Sequence, residues 1–166
     1  MGVSLPYRPT GYDELVAYYG DLRQYLTRLD AWERQILRTV ELRQAIPLAM
    51  GQTTRRIRLH HLIVQHAAAC LEECARLAAA QDIDPVRWAY AGGYVVRPQR
   101  SGARLSTHAW GIAVDLGPAR NRYGHAWDAQ TGLPASMIDV WRAAGWIWGG
   151  EWSRPDPMHF QYVARY

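Results

Sequence analysis

Asp115 is an acid set inside an apolar run, Trp110-Gly111-Ile112-Ala113-Val114-Asp115-Leu116, that reads as a strand stopped by Gly117-Pro118. Side chains alternate along such a strand, so Asp115 shares a face with Ala113 and Gly111 while Ile112 and Val114 turn the other way into apolar packing. A buried carboxylate is costly unless it is paired or bound to a cation, so Asp115 asks for a partner. His108 lies just before the strand, and the small residues Gly111 and Ala113 leave room between the two. His159 follows much later, flanked by Met158 and Phe160 in a second apolar segment. Two histidines and a carboxylate on or beside apolar strands match the three protein ligands of a catalytic zinc whose fourth position stays open.

A zinc site that does hydrolysis needs a base beside it. Asp156, in Arg154-Pro155-Asp156-Pro157-Met158-His159, is held by two prolines close to the metal without being a ligand, the placement a general base needs. Glu151, in Trp148-Gly149-Gly150-Glu151-Trp152, competes for that role. Arg97 at the end of a short strand and Arg100 just beyond it are candidates to grip a substrate carboxylate or polarise a carbonyl, because guanidinium binds carboxylate bidentately.

These residues need elements to position them. Thr10 precedes a helical run with Leu15, Tyr18, Tyr19, Leu22, Leu26 and Leu29 at three-to-four spacing, and Asp13 resembles a capping-box partner for it. A second helical run carries Trp32, Ile36, Leu37 and Val40 and ends near Pro47. Thr53 and Thr54 then cap a long helix striped by Ile57, Leu62, Ile63, Ala67, Cys70, Leu71, Cys74 and Leu77. Its polar face carries Arg55, Arg56, Arg58, His60 and His61. From Gly92 the texture changes. Gly92 to Arg97 and Trp110 to Leu116 read as strands, residues 119–134 as a loop, Ala135 to Ala144 as a helix ended by Gly145, and Trp146 to Trp148 and Met158 to Val163 as two more strands. The expected fold class is α+β in a single domain over 1–166: a helical part over 1–84, then a small, mainly antiparallel sheet over 85–166 that carries the zinc site.

Composition narrows the chemistry. The 166 residues carry 19 basic side chains, every one an arginine, against 15 acids, for a net charge of +4. With no lysine, Schiff-base chemistry, phosphate-loop lysines and Ser-Lys dyads are excluded, since each needs an amine. The arginines are scattered and the eight tryptophans do not interleave with them, so no nucleic acid partner is expected. Cys70 and Cys74 sit one helical turn apart and read as small buried hydrophobes. No stretch is long and apolar enough to span a membrane, and Met1 to Thr10 has no apolar signal core. The expectation is a protein that stays in the cytoplasm until lysis releases it, or that rides on a particle, and then acts in the periplasm or cell wall.

Ser106-Thr107-His108-Ala109-Trp110-Gly111-Ile112-Ala113-Val114-Asp115, followed by Trp148-Gly149-Gly150-Glu151-Trp152 and Asp156-Pro157-Met158-His159-Phe160-Gln161, resembles the zinc D-alanyl-D-alanine carboxypeptidase and L-alanyl-D-glutamate peptidase family. These peptidases cut cell-wall peptides and share their fold with the hedgehog signalling domain. The resemblance spans roughly Gly92 to Tyr162. It implies Zn2+ held by His108, Asp115 and His159, with Asp156 as catalytic base and the family's upstream arginine at Arg97 or Arg100. The chain departs from the family's Gly-Tyr-Arg run by having Gly93-Tyr94-Val95-Val96-Arg97. On this reading Arg97 shares catalysis, and Arg100, Ser106, Trp110, Trp148 and Gln161 bind substrate, a peptidoglycan stem peptide. Small size and the missing signal add a phage or prophage origin and a phage particle as partner. The rival reading is a non-catalytic virion or wall-binding module that keeps the zinc fold.

Overall fold

The structure, a computed structural model, describes residues 5–99 and 104–166. It is α+β, with four α-helices and two small antiparallel sheets. Helices α1 (Gly11–Tyr19) and α2 (Leu29–Ile36) lead into a hairpin of strands β1 (Leu37–Pro47) and β2 (Thr53–His60). The long helix α3 (Val64–Gln81) follows. The second sheet has order β3-β4-β6-β5, built from β3 (Tyr90–Gly92), β4 (Ala113–Leu116), β5 (Ile147–Trp148) and β6 (His159–Gln161), with α4 (Ala135–Ala143) before β5.

The second half follows the sequence reading in the order of its elements, whereas the first departs from it more widely. The helical run expected from Thr10 through Leu29 ends at Tyr19, where Gly20 at φ +96° turns the chain, and a 3-10 turn over Leu22–Tyr25 precedes α2. The expected helices over 37–47 and 53–61 are the two strands of a hairpin. Ile57 and Leu59 are buried while Arg58 between them is exposed, which is the period of a strand, and β-branched Thr53 and Thr54 open it. Leu37, Leu42 and Ile46 are buried on β1 at uneven spacing, because the register shifts between Glu41 and Ile46. That bulge imitates helical spacing in the sequence. Arg55, Arg56 and Arg58 therefore decorate a strand, not a helix face. Only from Val64 does the predicted helical stripe hold, with Ala67, Cys70, Leu71 and Cys74 buried.

Smaller corrections follow local geometry. The Thr10 side chain makes no cap; instead its backbone N–H donates to Glu14 Oε2 at 3.0 Å. The strand expected over 92–97 stops at Gly92, whose φ of +114° turns the chain. Residues 107–110 form one turn of 3-10 helix, so the strand carrying Asp115 begins at Ala113, after Gly111 at φ +68°.

One core joins the two parts, with Leu15, Tyr19, Ala67, Leu71, Trp110, Val114, Trp141 and Phe160 in a single buried cluster. Polar bonds cross it as well. The Trp110 indole N–H donates to the Gly20 carbonyl at 2.9 Å, and the Tyr19 hydroxyl donates to the Tyr162 carbonyl at 3.1 Å. Cys70 and Cys74 are free and buried, and burial pushes the Cys74 thiol up to about 12, as fits inert packing residues. No helix among the described residues is long and apolar enough to cross a membrane.

His60 closes β2 against the end of α1. Its Nδ1 lies 3.2 Å from the Leu62 N–H, which donates to it, and its Nε2–H faces the Tyr19 carbonyl at 3.2 Å. That pair of contacts requires the neutral ring. Burial lowers its pKa from 6.5 to about 4, although the Tyr19 carbonyl works in the opposite direction. The unfolded chain therefore takes up this proton first on acidification. Stability contributed by a neutral His60 is full above about pH 6.5 and is lost as pH falls towards about 4, for a total on the order of 3 kcal/mol. Urea unfolding at successive pH values should show this slope in the wild type and a flatter one in His60→Gln; equal slopes would contradict it.

Candidate active site

Antiparallel pairing brings the distant residues together. Strands β4 and β6 are neighbours, and Asp115 is directly opposite His159 in their register, so both side chains leave the sheet on one face. His108 arrives from the 3-10 turn before β4. The Ser106 hydroxyl accepts the His108 backbone N–H at 3.4 Å, the Val95 N–H donates to the His108 carbonyl at 3.2 Å, and the His108 Nδ1 meets the Gly93 carbonyl at 3.3 Å.

The three inward atoms form a nearly regular triangle. His108 Nε2 is 3.2 Å from Asp115 Oδ1 and 3.1 Å from His159 Nδ1, and His159 Nδ1 is 3.0 Å from Asp115 Oδ1. The outer ring nitrogens fix what these atoms carry. His108 Nδ1 faces a backbone carbonyl, so it holds the proton. His159 Nε2 faces the Gln161 Oε1 at 3.2 Å and the Thr107 Oγ1 at 3.4 Å, and the Gln161 amide is oriented by its Nε2–H donating to the Val163 carbonyl. His159 Nε2 therefore holds its proton too. Two imidazole lone pairs and a carboxylate oxygen then converge, an arrangement that repels itself unless a cation sits among them. Tetrahedral zinc with bonds of ~2.0 Å has ligand atoms roughly 3.3 Å apart, so the triangle fits one face of that coordination shell. Electrostatics agree. Burial opposes ionisation of Asp115, yet the two histidines hold its carboxyl far below the usual carboxylate range. Burial likewise opposes a charged His159 ring, and Asp115 beside it outweighs this and raises the pKa. The pocket favours positive charge at its centre.

Asp156 borders this triangle, and the Trp148-Gly149-Gly150 run puts it there. The Asp156 N–H donates to the Gly149 carbonyl at 2.9 Å, and the His159 N–H donates to the Asp156 carbonyl at 3.0 Å. A Cβ on Gly149 would stand 2.6 Å from the Asp156 carbonyl oxygen, so only glycine permits that approach. A Cβ on Gly150 would strike the Trp148 ring at 2.2 Å. Glu151, the competing acid, is exposed and pairs with Arg142 at 3.1 Å.

A cavity of about 550 Å³ opens over the site, lined by Arg97, Ser106, Trp152, Asp156, His159 and Gln161 among others. Thr107, Tyr123, Arg154, Arg165 and Tyr166 also line it, and the sequence reading gave none of these a place there. Only Thr107, adjacent to His108 in the motif, carried a signal. Arg100 lies outside the described residues. Two tryptophans sit elsewhere than expected. Trp110 is fully buried in the core, and Trp148 is buried with its indole N–H on the Pro157 carbonyl at 2.9 Å, bracing the turn that carries Asp156. The exposed tryptophan of the cavity is Trp152, whose ring leans on His159 at 5.4 Å between centroids. Gln161 lines the cavity and also orients His159. Partners that orient a ligating histidine are worth roughly 10- to 100-fold in metal affinity. Gln161→Leu should therefore weaken zinc by that factor in competition with a chelating dye, and a change under twofold would remove Gln161 from this role.

Two histidines and an aspartate aimed at one point beneath a cleft make a group that could hold a metal ion in this α+β fold. Residues 99–162, less than half of the chain, match the family model for D-alanyl-D-alanine carboxypeptidase, a similarity of this segment to peptidases. The match takes in His108, Asp115, Asp156 and His159 and leaves out Arg97. No curated protein and no solved structure shows significant similarity to the chain.

Proposed function

We propose that this protein is a zinc-dependent peptidase that hydrolyses peptidoglycan stem peptides, as a D-Ala-D-Ala carboxypeptidase or an L-Ala-D-Glu endopeptidase. The observation that carries this reading is the convergence of three candidate ligand atoms, 3.0–3.2 Å apart, beside a cavity bearing a carboxylate that is not part of the triangle. His108, Asp115 and His159 hold the metal. Bound zinc supplies Lewis acidity, polarising the scissile carbonyl and making water acidic enough to attack near neutral pH. The Asp156 carboxylate takes the proton of the attacking water and returns it to the leaving amine. The Arg97 guanidinium, on the cavity wall, stabilises the negative charge that develops on the carbonyl oxygen. Ser106 fixes the backbone of His108, and Gln161 with Thr107 fixes the ring of His159. The chain acts as one unit, with the described residues up to 84 buttressing the sheet through the shared core. A lytic or virion-borne role extends this reading, the enzyme meeting the wall after lysis or as part of a particle.

Digestion of purified peptidoglycan tests it. Zinc-loaded protein should release soluble fragments, a chelator should stop release, and added zinc should restore it, with mass spectrometry identifying the bond cut. Protein that binds one equivalent of zinc and releases nothing would defeat the peptidase reading in favour of a non-catalytic wall-binding module.

A further inference from the structure

The cavity has more positive charge than a single terminal carboxylate can use. Arg97, Arg154 and Arg165 line it, and Asp156 is the acid among its described lining residues. Arg97 lies in the segment after β3, whereas Arg154 lies in the loop between β5 and β6, and the two line one cavity from separate segments. Arg165 belongs with Arg97, because the hydroxyl of the adjacent Tyr166 donates to the Leu105 carbonyl and the Ser106 N–H donates to the Arg97 carbonyl.

Arg154 is placed with unusual care for an exposed side chain. Its guanidinium carbon lies 4.8 Å from the centroid of the Tyr123 ring, and the Gly124 N–H donates to the Pro155 carbonyl at 2.7 Å, tying the 119–134 loop to the Arg154 segment. Pro155 also restricts the backbone of Arg154. Stacking leaves the edge of the guanidinium, where its N–H groups point, available for an anion.

We propose that Arg154, stacked on Tyr123, forms a second carboxylate-binding site on the cavity wall made by the β5–β6 loop, so that the preferred substrate is a short peptide carrying two carboxylates. This rests on the peptidase reading for the identity of the peptide. The charge pattern itself does not depend on turnover. For a stem peptide, the second carboxylate is the internal one of its glutamate.

The test uses two pentapeptide stems, both with a free C-terminus, differing only in whether the internal glutamate α-carboxylate is free or amidated. Calorimetry on the zinc-loaded, slowed variant Asp156→Asn should show the free acid binding about tenfold more tightly than the amide, the size expected of an exposed charge-assisted contact. The wild type should show a similar ratio in kcat/KM. Arg154→Gln should bring both ratios near one, Tyr123→Phe should keep them, and Tyr123→Leu should reduce them. Arg97→Gln should lower kcat/KM for both peptides alike. Equal binding of acid and amide, or an Arg154→Gln protein that keeps the preference, would overturn the second site. A binding preference without cleavage by the wild type would leave this site standing and defeat the peptidase reading; cleavage without preference would do the reverse.

Discussion

Asp156→Asn is expected to retain one zinc per chain, read by elemental analysis, and to lose peptidoglycan cleavage by about 10²- to 10⁴-fold, the usual worth of a positioned general base. Asparagine keeps the shape and the backbone bonds by which Gly149 and His159 hold the turn, but it cannot accept a proton at neutral pH. The side chain does not belong to the triangle of His108, Asp115 and His159, so metal should stay. Cleavage equal to the wild type would remove Asp156 from the chemistry. Glu151→Gln is the matching control. Glu151 pairs with Arg142, so its loss should change the rate by less than about twofold, in keeping with the small value of exposed ion pairs.

Asp115→Ala should have the opposite signature, losing metal and activity together. Two histidine nitrogens 3.1 Å apart remain, without the carboxylate that balances the ion's charge, and the affinity loss should exceed the roughly 100-fold that bounds an orienting partner. Competition titration with a chelator of known affinity measures it. Because the two histidines hold Asp115 ionised in the folded state, its removal also takes away that pairing, and circular dichroism on the same sample separates loss of metal from loss of fold. A variant that keeps zinc within tenfold of the wild type would mean that another group holds the ion.

The pair of predictions separates holding the metal from using it, and each half traces to a different sequence signal. His108, Asp115 and His159 were legible because an acid and two histidines set in apolar strands are costly without a shared cation. Asp156 was legible because prolines on both sides of it leave little freedom. The second half of the fold was legible for the same reason, with Gly117-Pro118 and Gly145 marking where elements stop. The hairpin was not. Leu37, Leu42 and Ile46 mimic helical spacing because a bulge interrupts their strand, and Ile57 and Leu59 give too short an alternation to decide the period.

The sequence by itself determined the chemistry: arginine as the only strong cation, no amine base, and a ligand set suited to zinc. Which residues surround that chemistry was decided by tertiary structure. Trp110 and Trp152 look alike in the sequence, yet one fills the core and the other leans on His159, since only the packing of α1 against the sheet assigns each an inside or an outside. Arg97 and Arg154, far apart in the chain, line one cavity because strand order, β3-β4-β6-β5, is a property of pairing between distant segments that no local pattern encodes.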